Sequence, residues 1–231
     1  MRKVRVGRIE RITGNGLRVG LLTVLLLAAL VGGLVGAFQW FNYIPPDLVF
    51  ISDAHAVCTG SIVGRKDNSF LPRHLYLALT SRHCLDGEPA TVSRAGSGWQ
   101  APATVIERNP AGFILLEFST FADLQAGSVD GSEPALGTPV TVRVAQQDMD
   151  AELTLPGTAV GRLPATQPIT YWGGSLIFQV SGIVTGFSGS PILCGNRICG
   201  LLQSVLSQTD SIILATSPLE FRQAVLDWQK E

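Results

Sequence analysis

The chain has 231 residues, 46% of them hydrophobic, enough for one large domain or two small lobes. Beyond residue 41 it carries 11 Lys and Arg against 17 Asp and Glu, a net charge of −6, with no aromatic–basic stripe. That balance excludes a nucleic-acid partner. Residues 19–38 carry no charge and a single hydroxyl, Thr23. A helix of that length spans about 30 Å, the hydrocarbon thickness of a bilayer. Arg2, Lys3, Arg5, Arg8, Arg11 and Arg18 precede it against one acid, Glu10, and Trp40, Phe41 and Tyr43 follow it. The expectation is a basic cytoplasmic segment over 1–18 and a transmembrane helix over 19–41, with the remainder on the periplasmic or extracellular side. The alternative is a signal peptide cleaved after Val35-Gly36-Ala37, which would leave a secreted protein. Ala28, Gly32 and Gly36 recur at a helix-packing spacing, which allows a homo-oligomer through the anchor.

A tether over 42–47, stiffened by Pro45 and Pro46, leads into strands expected at 48–52, 56–63, 75–80, 90–94, 101–107 and 113–118. A polar loop over 64–73 joins the second and third, with Asp67-Asn68 at its tip, and Gly96-Ser97-Gly98 marks a hairpin between the fourth and fifth. Residues 119–137 form a connection rich in Gly, Ser, Asp and Ala. A second set of strands follows at 139–144, 152–160, 175–179, 190–193, 199–206 and 211–216. The last periodic stretch, 217–230, has near-helical spacing of Leu219, Phe221, Val225, Leu226 and Trp228, with Ser217 as N-cap. Many short strands punctuated by glycine argue for an all-β sandwich or barrel.

Three motifs stand in order: Cys58-Thr59-Gly60-Ser61, then Leu79-Thr80-Ser81-Arg82-His83-Cys84, then Gly186-Phe187-Ser188-Gly189-Ser190-Pro191. Alone, the last fits a hairpin turn with no chemistry. Together they resemble the trypsin-like (chymotrypsin-fold) serine proteases, over roughly residue 47 to the end of the chain. The resemblance implies two six-stranded antiparallel β-barrels with a C-terminal α-helix. It divides 48–231 into a first barrel (48–118), a connection (119–137), a second barrel (138–216) and the helix (217–230). It also implies a disulfide between Cys58 and Cys84. Cys194 and Cys199 flank Gly195-Asn196-Arg197-Ile198, a hairpin-like turn across which they could close. Four cysteines allow three connectivities, and four free buried thiols are the plain alternative. No spacing suits a metal, and no cofactor is implied.

A serine hydroxyl is a poor nucleophile until a base takes its proton, and imidazole has a suitable pKa for that. Of the three histidines, only His83 lies in the resembled setting, so the resemblance implies Ser188 as nucleophile and His83 as base. The N–H groups of Gly186 and Ser188 are the expected oxyanion donors. The third member is missing. Aligned on the strand at 113–118, the position the family gives to aspartate falls on Gly112, or on Phe113 if Asn109-Pro110 is the guide. Glu107 and Asn109 are the nearest substitutes in sequence, and Asp86 follows His83 too closely for a suitable angle. Phe187 stands where zymogen-derived members carry an acid, and no Ile-Val start is found, so the chain resembles the bacterial and viral branch. The implied substrate pocket runs along Gly182, Ile183, Val184 and Thr185, and along Gln203, Ser204 and Val205. It has no acid on its first wall and no histidine follows His83, which points to a small or medium apolar residue before the cut.

The resulting expectation is a membrane-tethered serine endopeptidase acting on peptide or protein substrates. The rival is a protease-fold binding module or scaffold that has lost its chemistry, favoured by the absent aspartate.

Overall fold

Alternation with period two decides the architecture. The computed structural model describes residues 45–67, 72–87, 89–94, 97–146, 151–163, 175–183 and 186–231. The basic segment, the anchor expected at 19–41 and the start of the tether lie outside the described residues, as do Asn68, Gly96, Val184 and Thr185. Among the described residues no helix is long and apolar enough to cross a membrane.

Strands β1 (Leu48–Ser52), β2 (Val57–Asp67), β3 (His74–Ser81), β4 (Ala90–Ser93), β5 (Gln100–Asn109) and β6 (Phe113–Thr120) close into an antiparallel barrel in the order β1-β2-β3-β6-β5-β4. A two-residue strand β7 (Ser128–Val129) interrupts the connection that follows. Strands β8 (Pro139–Gln146), β9 (Ala151–Arg162), β10 (Leu176–Val180), β11 (Pro191–Cys194), β12 (Arg197–Ser207) and β13 (Ile212–Thr216) form the second ring. Their order is β11-β8-β9-β10-β13-β12, and it closes because β11 pairs with both β8 and β12. Helix α1 (Pro218–Lys230) completes the expected two six-stranded antiparallel barrels with a C-terminal helix.

Two sequence expectations about strands are corrected. The polar loop expected from residue 64 begins later, because Arg65, Lys66 and Asp67 continue β2 and pair with Tyr76, Leu75 and His74. Their charged ends are used at the surface: Arg65 pairs with Asp67 and Asp123, and the Lys66 ammonium sits 4.1 Å from the centre of the Trp228 ring. The connection also holds a strand, β7, which adds to β12 in parallel through Arg197 and Ile198.

Both faces of β3 and β6 are apolar, for two different reasons. Tyr76, Ala78, Ile114, Leu116 and Phe118 fill the first barrel. Their neighbours Leu77, Leu79, Phe113 and Leu115 face outward, into a cluster with Leu193, Ile198 and Leu201 of the second barrel and Phe221, Val225 and Trp228 of α1. This seam makes residues 44–231 one unit. Helix α1 enters it through the 3–4–3 spacing of Pro218, Phe221, Val225 and Trp228. Ser217 caps it, accepting from the Leu219 N–H at 3.3 Å.

Candidate active site

His83 lies at the end of β3, where the strand turns into one 3-10 turn, Arg82–Cys84. Four contacts brace that turn. The Arg82 N–H donates to the Gly112 carbonyl at 2.8 Å. Cys84 is bridged to Cys58. The Arg108 guanidinium donates to the Leu85 carbonyl. Asp53 accepts from the Asp86 N–H at 2.9 Å, and from the N–H groups of His55 at 2.7 Å and Ala56 at 2.9 Å. Those main-chain donors, that of His55 first, pull the Asp53 carboxyl down to about 2. The His83 ring is half-buried, with Nδ1 inside the protein. Burial pushes its pKa below the ordinary imidazole value, and the nearby Asp86 charge opposes this only in part. His83 is therefore neutral at neutral pH, as a general base must be.

Ser188 lies on the loop between β10 and β11. Phe187 and Ile183 root that loop in the core of the second barrel, at 8% and 5% exposure. Ile183, one of the residues expected along the substrate pocket, packs into that core. Gly189 fixes the loop against the first barrel. Its φ is +81°, and a Cβ there would lie 2.0 Å from the Thr59 carbonyl oxygen and 2.3 Å from Thr80 Oγ1. The absence of a side chain lets the Thr59 N–H reach the Ser188 carbonyl at 3.2 Å and the Gly189 N–H reach the Leu202 carbonyl at 2.9 Å. The Ser190 N–H turns back to Phe187 at 3.2 Å. The Gly186 and Ser188 N–H groups take part in none of these contacts.

Ser188 and the segment that leads into His83 are both anchored on β12. The Ser188 hydroxyl donates to the Gln203 carbonyl at 3.1 Å. Ser81, two residues before His83, donates to the adjacent Leu202 carbonyl at 2.7 Å. Two consecutive carbonyls of one strand therefore hold the serine and the start of the histidine turn.

The position expected for the acid carries none. Gly112 adjoins the histidine turn through its carbonyl, has φ +111° and carries no side chain. Asn109 and Glu107, the substitutes nearest in sequence, are engaged elsewhere. Asn109 Nδ2 donates to Glu107 Oε1 at 3.0 Å, and Asn109 Oδ1 accepts from the Ala111 N–H at 2.8 Å. Glu107 also lines a cavity of about 480 Å³ against α1, with Gln223, Asp227 and Trp228. Of the expected pocket residues, Gly182 is exposed, Ser204 and Val205 are half-buried, and Val205 packs on the second-barrel core. Gln203 is 1% exposed. The bridges Cys58–Cys84 and Cys194–Cys199 are both formed, and no described cysteine is free. Among the described residues no group of His, Cys, Asp and Glu could hold a metal. Sequence reasoning missed Asp53 and Ser81 as braces. A serine directly before a histidine turn is visible in the chain, but its carbonyl partner 121 residues away is not.

Residues 58–201 match the trypsin-like peptidase domain family. Solved structures with the same fold include the active form of the Rv3671c protease from M. tuberculosis, at 14% identity and a TM-score of 0.60 over 78% of this chain and 80% of that one. The MamO protease domain from Magnetospirillum magneticum, in its apo form, is 18% identical, with a TM-score of 0.57 over 81% and 98%. A serine endoprotease from Yersinia pestis is 16% identical, with a TM-score of 0.60 over 84% and 66%. No curated protein matches the chain significantly by sequence.

Proposed function

We propose, from the premise that the chain belongs to the trypsin-like peptidase family, that it is a serine endopeptidase working through an acyl-enzyme. The observation that carries this reading is the shared mount on β12, which brings Ser188 and the His83 turn to one place. In the resting geometry the serine proton rests on the Gln203 carbonyl. Turning Oγ about χ1 to His83 lets Nε2 take that proton as Oγ bonds to the substrate carbonyl carbon. The oxyanion then takes the N–H groups of Gly186 and Ser188. The imidazolium returns the proton to the leaving amine, and water repeats the sequence to release the acid. A substrate pocket along Ser204 and Val205 would take a small or medium apolar residue before the cut. Residues 19–41 would tether the domain to a membrane on its periplasmic or extracellular side, a topology that two disulfides favour.

A second reading, a binding module without chemistry, is favoured by one observation: Gly112 supplies no carboxylate. A fluorophosphonate probe separates the two, because its adduct needs only nucleophile, base and oxyanion donors. The expected result is labelling of the wild type, abolished in Ser188→Ala and strongly slowed in His83→Ala. A folded wild type that stays unlabelled after long incubation leaves the binding module. Protease added outside intact spheroplasts should digest the domain; protection there would overturn the topology.

A further inference from the structure

Helix α1 and strand β5 border a groove of about 480 Å³ that contains neither Ser188 nor His83. Its volume falls in the range of ligand sites, about 300–1,000 Å³. One wall is a single face of the helix. Glu220, Gln223, Ala224 and Asp227 recur there at helical spacing, with Glu231 just past the end. The opposite wall is a β-bulge. Val105 opposes Leu116 and Glu107 opposes Leu115, which makes Ile106 the extra residue of β5. A bulge re-aims side chains and breaks the alternation of its strand. Here it leaves Ile106 44% exposed and sets Glu107 beside Leu115, on the side of the sheet that faces α1.

The groove has an apolar floor and an acidic rim. Leu115 and Trp228, both buried, and Ala224, half-buried, form the floor. Trp228 is fixed there: its indole N–H donates to Glu117 at 2.7 Å, and the Lys66 ammonium covers its ring. Glu107, Glu220, Asp227 and Glu231 line the rim, and no Lys, Arg or His lines it. Gln223 and Lys230 donate to Asp227 at 2.8 and 2.9 Å and hold its carboxyl below the ordinary aspartate value, so it stays charged. Lys230 pairs with one of the four carboxylates, which leaves an acidic excess. Among the described residues no group of His, Cys, Asp and Glu could hold a metal, so the matching cation is an organic one. A bare acidic surface would attract any such cation. An exposed isoleucine beside a floor of leucine and tryptophan calls in addition for an apolar group.

We propose that this groove docks a peptide segment of a partner protein in which basic residues flank an apolar side chain. The apolar side chain packs on Leu115 and Trp228 and covers Ile106, while the basic residues reach the carboxylates of the two walls. Rim charges of this kind steer encounter, and the apolar contact at the centre holds the partner. The groove adjoins the histidine turn without including it: Arg108, next to Glu107 in β5, reaches the Leu85 carbonyl. The inference stands whether or not Ser188 is chemically active.

The test uses the full chain in a non-ionic detergent, with Ser188→Ala as the background so that cleavage does not enter. The probe is a short dye-labelled peptide with one leucine flanked by arginines, followed by fluorescence anisotropy against micelles alone. The expected result is saturable binding that weakens as salt rises, the mark of exposed charge pairs. Glu220→Gln with Glu231→Lys should weaken it by about 5- to 30-fold. Ile106→Ser should weaken it by about 10-fold. Leu136→Ser, at an exposed residue of a different cavity, should change nothing. All these changes fall on exposed side chains, and unchanged unfolding curves confirm that the variants are folded. Absence of saturable binding overturns the proposal, as does binding that survives the groove changes. Equal binding of a peptide with serine in place of leucine also overturns it, because that is adhesion to an acidic surface only.

Discussion

Gly189→Ala is the sharpest test of how the loop bearing Ser188 is held. Two costs add at this position. A non-glycine residue at φ +81° costs about 1–2 kcal/mol. The new Cβ, 2.0 Å from the Thr59 oxygen, must also push that carbonyl away by more than an ångström. The carbonyl accepts the Thr80 hydroxyl at 2.8 Å, and the N–H of the same residue holds the Ser188 carbonyl. Losing both bonds adds about 1–3 kcal/mol. The total is roughly 2–5 kcal/mol, or roughly 4–20 °C of Tm for a domain of this size. Gly137→Ala is the matched control: its φ is +80°, but no atom lies within 4 Å of the added Cβ. That variant should lose only the backbone part, about 1–2 kcal/mol. Thermal and denaturant unfolding of both variants measure the difference, and fluorophosphonate labelling should fall in Gly189→Ala alone. If the two variants unfold within about 1 kcal/mol of each other, the close approach of this loop to Thr59 is not what fixes Ser188.

Removing the bridges in pairs should cost unequal amounts. Cys58→Ala with Cys84→Ala opens a span of 26 residues, and Cys194→Ala with Cys199→Ala one of 5. Loop entropy gives about 3.5 and about 2 kcal/mol respectively, and equal losses on denaturant titration would contradict that ranking. Stability should also depend on pH in two windows. The folded-state pKa of Asp53 is depressed, so its contribution is present above the ordinary value of about 3.9 and is lost as pH falls towards about 2. Asp53→Asn should flatten that limb, and an unchanged acid limb would refute the brace. The folded-state pKa of His83 is also depressed, by burial, so the unfolded chain binds its proton first. Stability should therefore fall as pH drops below about 6.5 and level off below the folded-state value, a step absent from His83→Phe.

Ser188 and His83 stand out in the chain as candidates because each sits in a short local pattern, Gly-x-Ser-Gly-Ser and Thr-x-x-His-Cys, that can be read without distant residues. The two-barrel plan was legible for a similar reason: strands such as β5 announce themselves by alternation, and α1 by its 3–4–3 spacing. The ends of β2 were not, because Arg65, Lys66 and Asp67 read as a loop until paired with β3 and covered by Trp228. β7 was hidden for lack of length, since two residues give no periodicity. Ile183 and Gln203 were both read as pocket walls because each is near the serine along the chain or in the family pattern. Both are buried, by routes the chain alone does not show: Ile183 roots the loop in the second-barrel core, and Gln203 sits at a bulge in β12 that is invisible without the register to β13.

The adjacent carbonyls of Leu202 and Gln203 have a consequence for how errors accumulate in the molecule. In an assembled instrument, the misplacement of two parts grows with the number of joints between them. Here the path from the serine hydroxyl to the segment bearing the histidine crosses two hydrogen bonds and a single peptide link. Breathing of the outer strands, or a sideways shift at β4 or β9, is therefore not added to the gap between Ser188 and the segment that leads into His83. A one-residue insertion between Leu202 and Gln203 enters that path directly, and would separate the two mounts while leaving both barrels closed.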